Sequence, residues 1–174
     1  MGARSELDTE ISVDVETTDL DNIINMDDPY GIIKDEVYVR AQNIKENIVQ
    51  GSKNGVKTLA NFNRSQQEQI IAMVCDNPSG MLASSINDEM LDEFTYLIGT
   101  IIKHIYPLSV EKGRKGFSVK PPRKALAFYI GGELIFRKSV GPAKPRPFVA
   151  PAYDRTLHIT DEVMRREIYK NLEK

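Results

Sequence analysis

Apolar positions in the first half of the chain recur every three or four residues. From Asp35 onward, Val37, Ala41, Ile44, Ile48, Ser52, Gly55 or Val56, and Leu59 fall on one stripe, which predicts an amphipathic helix. Gly51 and Gly55 weaken its later turns, so a kink or break is expected there. Ser65 and Glu68 then stand in capping-box positions ahead of Ile70, Ile71 and Val74, predicting a second, short helix. The turn sequence DNPSG, residues 76–80, ends it. Beyond the turn, FTYLIGTIIKHIY, residues 94–106, is aromatic and branched and reads as a strand interrupted at Gly99. Residues 106–124 are expected to form a long loop. Two alternating runs, 125–130 and 133–140, flank Gly131 and Gly132, the pattern of a tight hairpin with Leu134, Phe136, Lys138 and Val140 on one side. Thr160 is the expected N-cap of a closing helix, with Asp161 and Glu162 in its first turn and Val163, Met164, Ile168 and Leu172 as its apolar stripe. The expected class is α+β: an antiparallel sheet with a C-terminal β-hairpin packed against helices, in a single domain spanning residues 29–174.

Charge changes this picture at both ends. The net charge is only -2, yet residues 1–28 hold nine acids against Arg4 alone, and residues 112–146 hold ten bases against Glu133 alone. The acidic segment 1–28 is poor in core-forming residues and is expected to be flexible or to order against a partner. Segregation of this kind can steer a partner or a second copy of the chain, and it also fits a solvated tail and an ordinary basic loop. With 174 residues and a hydrophobic fraction of 41%, the chain is long enough for one core. No run reaches the roughly 18 apolar residues of a membrane span, and the opening MGARSELDTE has no apolar signal core, so a soluble protein made in a cytoplasm is expected. Cys75, the single cysteine, offers neither a disulfide framework nor a metal cluster and reads as a small core residue.

Candidate chemistry is sparse. His104 and His158 have no partner at ligand spacing, and the chain shows neither a nucleophile elbow nor a phosphate-binding glycine loop before a helix. No enzymatic activity, metal or cofactor is therefore expected. The segment GPAKPRPFVAPAYD, residues 141–154, instead sets four prolines around Phe148 and Tyr153. Proline-stiffened aromatic side chains offer contact points that lose little entropy on binding. Phe148 and Tyr153 also fit a simpler role, covering the protein's own sheet. The expected partner-binding residues are Lys112, Arg114, Lys115, Lys120, Arg123 and Lys124 of the basic loop, with Arg146, Phe148 and Tyr153. Clustered bases alone also suit phosphate binding, so a nucleic-acid-binding or host-interaction module is the alternative reading.

Four signals in fixed order carry a family resemblance. They are Gly80, Leu82, Ser85 and Ile86 in GMLASSI; Tyr96, Gly99 and Thr100, followed by Tyr106, Val110, Glu111 and Gly113; the hairpin residues Ala125, Leu126, Phe128, Gly132, Glu133, Phe136, Ser139 and Val140; and Pro145, Arg146, Pro147, Phe148, Val149, Pro151 and Ala152 in PRPFVAPA. In this order they resemble the tail-completion or head-tail joining proteins of long-tailed bacteriophages, small neck components also called minor tail proteins. The resemblance spans about residues 78–174, with Pro107 where that family carries a small alanine. It implies a virion protein of the neck or upper tail, made in the bacterial cytoplasm and assembled as a ring, commonly a homo-hexamer. Its implied partners are a head-completion or stopper protein, a tail tube or tail terminator protein, and packaged DNA in the channel, with no membrane. It further implies a simple long helix in place of two, packed on the sheet.

Overall fold

The computed structural model describes residues 9–13, 34–75, 80–103, 105–118, 125–130 and 133–173. After a short strand β1 (Thr9–Ser12), one continuous helix, α1 (Lys34–Val74), replaces the two helices read from the residues. Gly51 and Gly55 do not break it. They lie where α1 crosses the last helix, α3 (Val149–Leu172), in antiparallel fashion. A Cβ on Gly51 would stand 2.6 Å from the Ile168 Cα, and one on Gly55 would stand 2.5 Å from the Met164 Sδ. Each glycine lowers helix propensity by about 1 kcal/mol relative to alanine, and the close approach of the two helices offsets that cost. Ser65 and Glu68 likewise sit mid-helix, where Glu68 accepts from Arg64 Nε at 3.1 Å and Ser65 Oγ accepts from Gln69 Nε2 at 3.3 Å.

A buried polar line fixes the helix pair in register. Gln67 Nε2 donates to Asn63 Oδ1 at 2.9 Å, Asn63 Nδ2 donates to Thr156 Oγ1 at 3.0 Å, and Thr156 Oγ1 donates to the Ala152 carbonyl at 2.9 Å. Sliding one helix along the other would strand these groups away from water, a penalty that apolar contacts alone do not impose.

The final helix starts eleven residues before the expected cap at Thr160, whose hydroxyl instead donates to the Thr156 carbonyl at 3.0 Å inside the helix. PRPFVAPA thus leads into a helix, which begins at Val149. Pro151 is its third residue, where a missing N–H costs nothing because first-turn N–H groups have no intrahelical acceptor. The cap comes from elsewhere in the chain. Glu111 Oε2 accepts from the backbone N–H of Phe148 at 2.7 Å and of Val149 at 3.3 Å. A carboxylate at a helix N-terminus also meets the positive end of the helix dipole.

Among the described residues all strand pairs are antiparallel, in three small sheets rather than one. The largest has the order β1-β3-β2, with β2 (Ile86–Asp92) and β3 (Thr95–Thr100) joined by a tight turn. Gly99 does not interrupt β3, which pairs through it with Asn87. The strand expected to run to residue 106 stops at Thr100. A short helix, α2 (Ile105–Glu111), occupies the start of the expected loop, with the buried Pro107 in its first turn. Strand β4 (Phe117–Ser118) pairs with β7 (Ser139–Val140), and β5 (Leu126–Ile130) pairs with β6 (Glu133–Arg137). The β5–β6 register places Ile130 opposite Glu133; Gly131 and Gly132, the expected turn, lie outside the described residues.

The α+β class stands, but the arrangement of the hairpin is corrected. The chain ends in the long helix α3, not in a hairpin, and α1 packs on α3 and on the β1–β3–β2 sheet. Gly51, Gly55, Asn63 and Gln66 of α1 meet Ile168, Met164, Thr156 and Arg155 of α3, whereas Val37 and Ile44 of the expected α1 stripe are exposed. Val56, Leu59, Ile71, Leu82, Ile98 and Phe148 form the centre of the core, each almost wholly buried. Of the segment 1–28, expected to be flexible or to order against a partner, residues 9–13 are described; they supply β1, and Ile11 on it joins this core.

Candidate assembly surface

The basic loop is built against the proline-rich segment, one strand of backbone lying on the other. Arg114 and Ala143 exchange both backbone hydrogen bonds at 3.0 Å, and Arg146 N–H donates to the Val110 carbonyl at 2.8 Å. Gly113, with φ of 73°, provides the turn between α2 and this pairing. A Cβ there would lie 2.7 Å from the Ala143 carbonyl oxygen and 2.8 Å from Pro145 N, so both the backbone angle and the space call for glycine. Together with the Glu111 cap, these contacts form a clamp that joins residues 110–114 to residues 143–149.

Four of the expected partner-binding residues are brought together by the clamp. Lys112, Lys115 and Arg146 are exposed on it, and Arg114 is half-buried with its guanidinium 5.6 Å from the centre of the Phe117 ring. Arg137, Lys138 and Lys144 are exposed on the neighbouring strands and connections. Exposed charges of one sign attract an acidic partner, and that attraction falls with salt. Beside it, burial raises the Tyr106 hydroxyl above its ordinary pKa range; Cys75 adds to the rise and Arg146 opposes it. Lys120, Arg123 and Lys124 lie outside the described residues. Phe148 is 1% exposed and fills the chain's own core, whereas Tyr153 is 45% exposed on α3.

The remaining motif residues build junctions. Gly80, with φ of 62°, opens the turn that leads through the buried Leu82 into β2. Ser85 Oγ lies 2.7 Å from both the Leu82 carbonyl and Thr100 Oγ1, tying that turn to the end of β3. Comparison with protein-family models, curated proteins and solved structures finds no match. The motif residues therefore stand on their own geometry.

One surface was not singled out by sequence reasoning. On β6, Leu134 is 47% and Phe136 is 63% exposed, and their spacing of two puts them on the same face. Alternation had identified this face, but alternation cannot say whether it meets a core or solvent. Among the described residues no group of three or more His, Cys, Asp or Glu side chains is placed to hold a metal ion, and no helix is long and apolar enough to cross a membrane. His158 is exposed on α3, and His104 lies outside the described residues. The electrostatics of the sheet side are those of ordinary structural pairs. Arg64 Nη1 meets Asp88 at 2.8 Å, and its hydrogen bonds to Asp88 and then Glu68 raise the guanidinium above an already high range.

Proposed function

We propose that the protein is a structural subunit of a bacteriophage neck or upper tail, part of a ring that completes the tail or joins it to the head. The observation that carries this reading is the meeting of motif segments distant in sequence. Val110, Glu111 and Gly113 hold Pro145, Arg146, Phe148 and Val149 in one clamp, and the hairpin lies between the two halves in sequence. A clamp held by backbone hydrogen bonds, together with a hairpin that exposes an apolar face, suits a subunit that joins others through its surface.

Rings need heterologous contacts, one face of a copy against a different face of the next. The protein offers two unlike faces of the required kind: exposed bases on the clamp and exposed Leu134 and Phe136 on the hairpin. The bases suit an acidic surface of a neighbouring copy or stopper protein, or phosphates of DNA passing through the ring. The apolar face suits a buried contact between copies or with the tail tube.

Removal of the gene from the source genome tests the proposal. Negative-stain microscopy is expected to show full heads and tails unjoined, or tails of defective length, with joined virions restored on complementation. Normal joined virions without the gene would overturn the reading.

A further inference from the structure

We infer that strand β1 is exchanged between copies: in the assembled oligomer, Thr9–Ser12 of one copy completes the sheet of its neighbour. The inference rests on the oligomeric reading above and adds to it the element that links one copy to the next.

Strand β1 has the properties of an exchangeable plug. It occupies the edge of the three-stranded sheet and pairs with β3 alone, in the register Thr9 to Ile98 through Ser12 to Thr95. Ile11, 9% exposed, enters the core beside Ile98 and Tyr96, so the sheet is incomplete without it. Its attachment is nonetheless slight. The strand is four residues long, and the Thr9 hydroxyl is buried with no hydrogen-bond partner among the described residues. An unsatisfied buried hydroxyl works against docking.

Connectivity permits the exchange. Twenty-one residues, 13–33, join β1 to α1. Covalent geometry lets such a length span up to about 70 Å, against a diameter of about 40 Å for a folded domain of this size. A β1 strand from an adjacent copy can therefore reach the same edge of β3 in the same register. Because the strand makes the same contacts in either copy, exchange leaves the contact energy unchanged. Local concentration then decides which copy is completed, and a ring places a neighbour beside every sheet edge. Donation from each copy to the next is heterologous, so it closes a ring without a special terminal copy.

Paired cysteines distinguish the two connections. In a Cys75→Ala background, Glu10→Cys with Leu97→Cys places two thiols opposite each other across β1 and β3, within the Cα range a disulfide accepts. Ser12→Cys with Thr95→Cys reads the same register should the first pair impair folding. The variants are assembled in particles, oxidised, and denatured without reductant. Exchange predicts loss of the single-chain band and a ladder of covalently joined chains, absent from the Cys75→Ala parent. An assembled oligomer whose oxidised chains run as single chains with an internal disulfide overturns exchange and leaves the ring reading intact. A folded oligomer that forms neither cross-link overturns the pairing and the exchange together. A chain that sediments as a monomer both alone and with the other particle components overturns the exchange and the ring reading alike.

Discussion

Phe136 and Phe148 belong to the same motif-rich half of the chain and have opposite surroundings. Phe148 caps the entry to α3 and is sealed in the core, whereas Phe136 stands on β6 with most of its ring in water. The difference extends to the regions around them. The helix pair and its three-stranded sheet satisfy their interior polar groups with few exceptions and bring two backbones together at Gly51. The hairpin pairs its own two strands and leaves a hydrophobic face exposed. An isolated two-stranded hairpin is marginal in water, and a second layer commonly stabilises it. One region is closed by its own packing, and the other leaves Leu134 and Phe136 in solvent.

Truncation of Phe148 gives the largest expected effect on this contrast. Phe148→Ala should cost about 3–5 kcal/mol, because it removes a fully buried ring and leaves a cavity beneath the start of α3. Urea unfolding followed by circular dichroism measures it, and a midpoint shift at constant slope reports stability alone. A wild-type midpoint together with failed assembly would move Phe148 to the interface and erase the contrast.

The glycines of α1 sharpen the same boundary on the core side. Gly51→Ala drives a methyl group into the backbone of α3 and should cost about 1–3 kcal/mol. At Gly55 the obstacle is the flexible end of Met164, which can turn aside, while alanine gains about 1 kcal/mol of helix propensity. Gly55→Ala is therefore expected to change stability far less than Gly51→Ala, in the same unfolding measurement. Equal losses at the two positions would mean that the helices meet differently from the arrangement described.

These positions also show what the sequence could reveal. The pairing of Leu126 with Arg137 through Ile130 with Glu133 was legible because its information is local, two alternating runs around Gly131 and Gly132, although the expected return strand 133–140 ends at Arg137 and Ser139–Val140 pairs with β4 instead. The continuity of α1 was not, since propensity penalises Gly51 and Gly55 and only the approach of α3 explains them. The start of α3 was hidden for a similar reason. Its capping carboxylate, Glu111, lies 37 residues upstream, so Thr160 looked like the better cap although its hydroxyl is engaged inside the helix. Strand β1 is four residues in an acidic stretch, and its main stabilisation comes from β3 across the fold. At the candidate surface, charge counting found Lys112, Arg114, Lys115 and Arg146. It could not foresee that the Arg114–Ala143 pairing gathers them; of the two roles left open for Phe148, the structure shows the inward one.

Polar substitution of the exposed ring gives the smallest expected change in stability and the most direct test of the contrast. At Phe136, serine removes apolar surface that is already largely hydrated, so Phe136→Ser should shift unfolding by no more than about 0.5 kcal/mol. Its expected effect lies in assembly: particles complemented with the variant should contain fewer joined heads and tails, and Leu134→Ser should act in the same direction because the two side chains share a face. Double substitution then should not greatly exceed the stronger single one, since the apolar contact is lost once its centre is hydrated. A loss of stability near that of Phe148→Ala would instead place Phe136 within the fold. Unchanged stability with normal assembly would leave the hairpin face without a structural partner, and the clamp bases would then have to carry the contact between subunits.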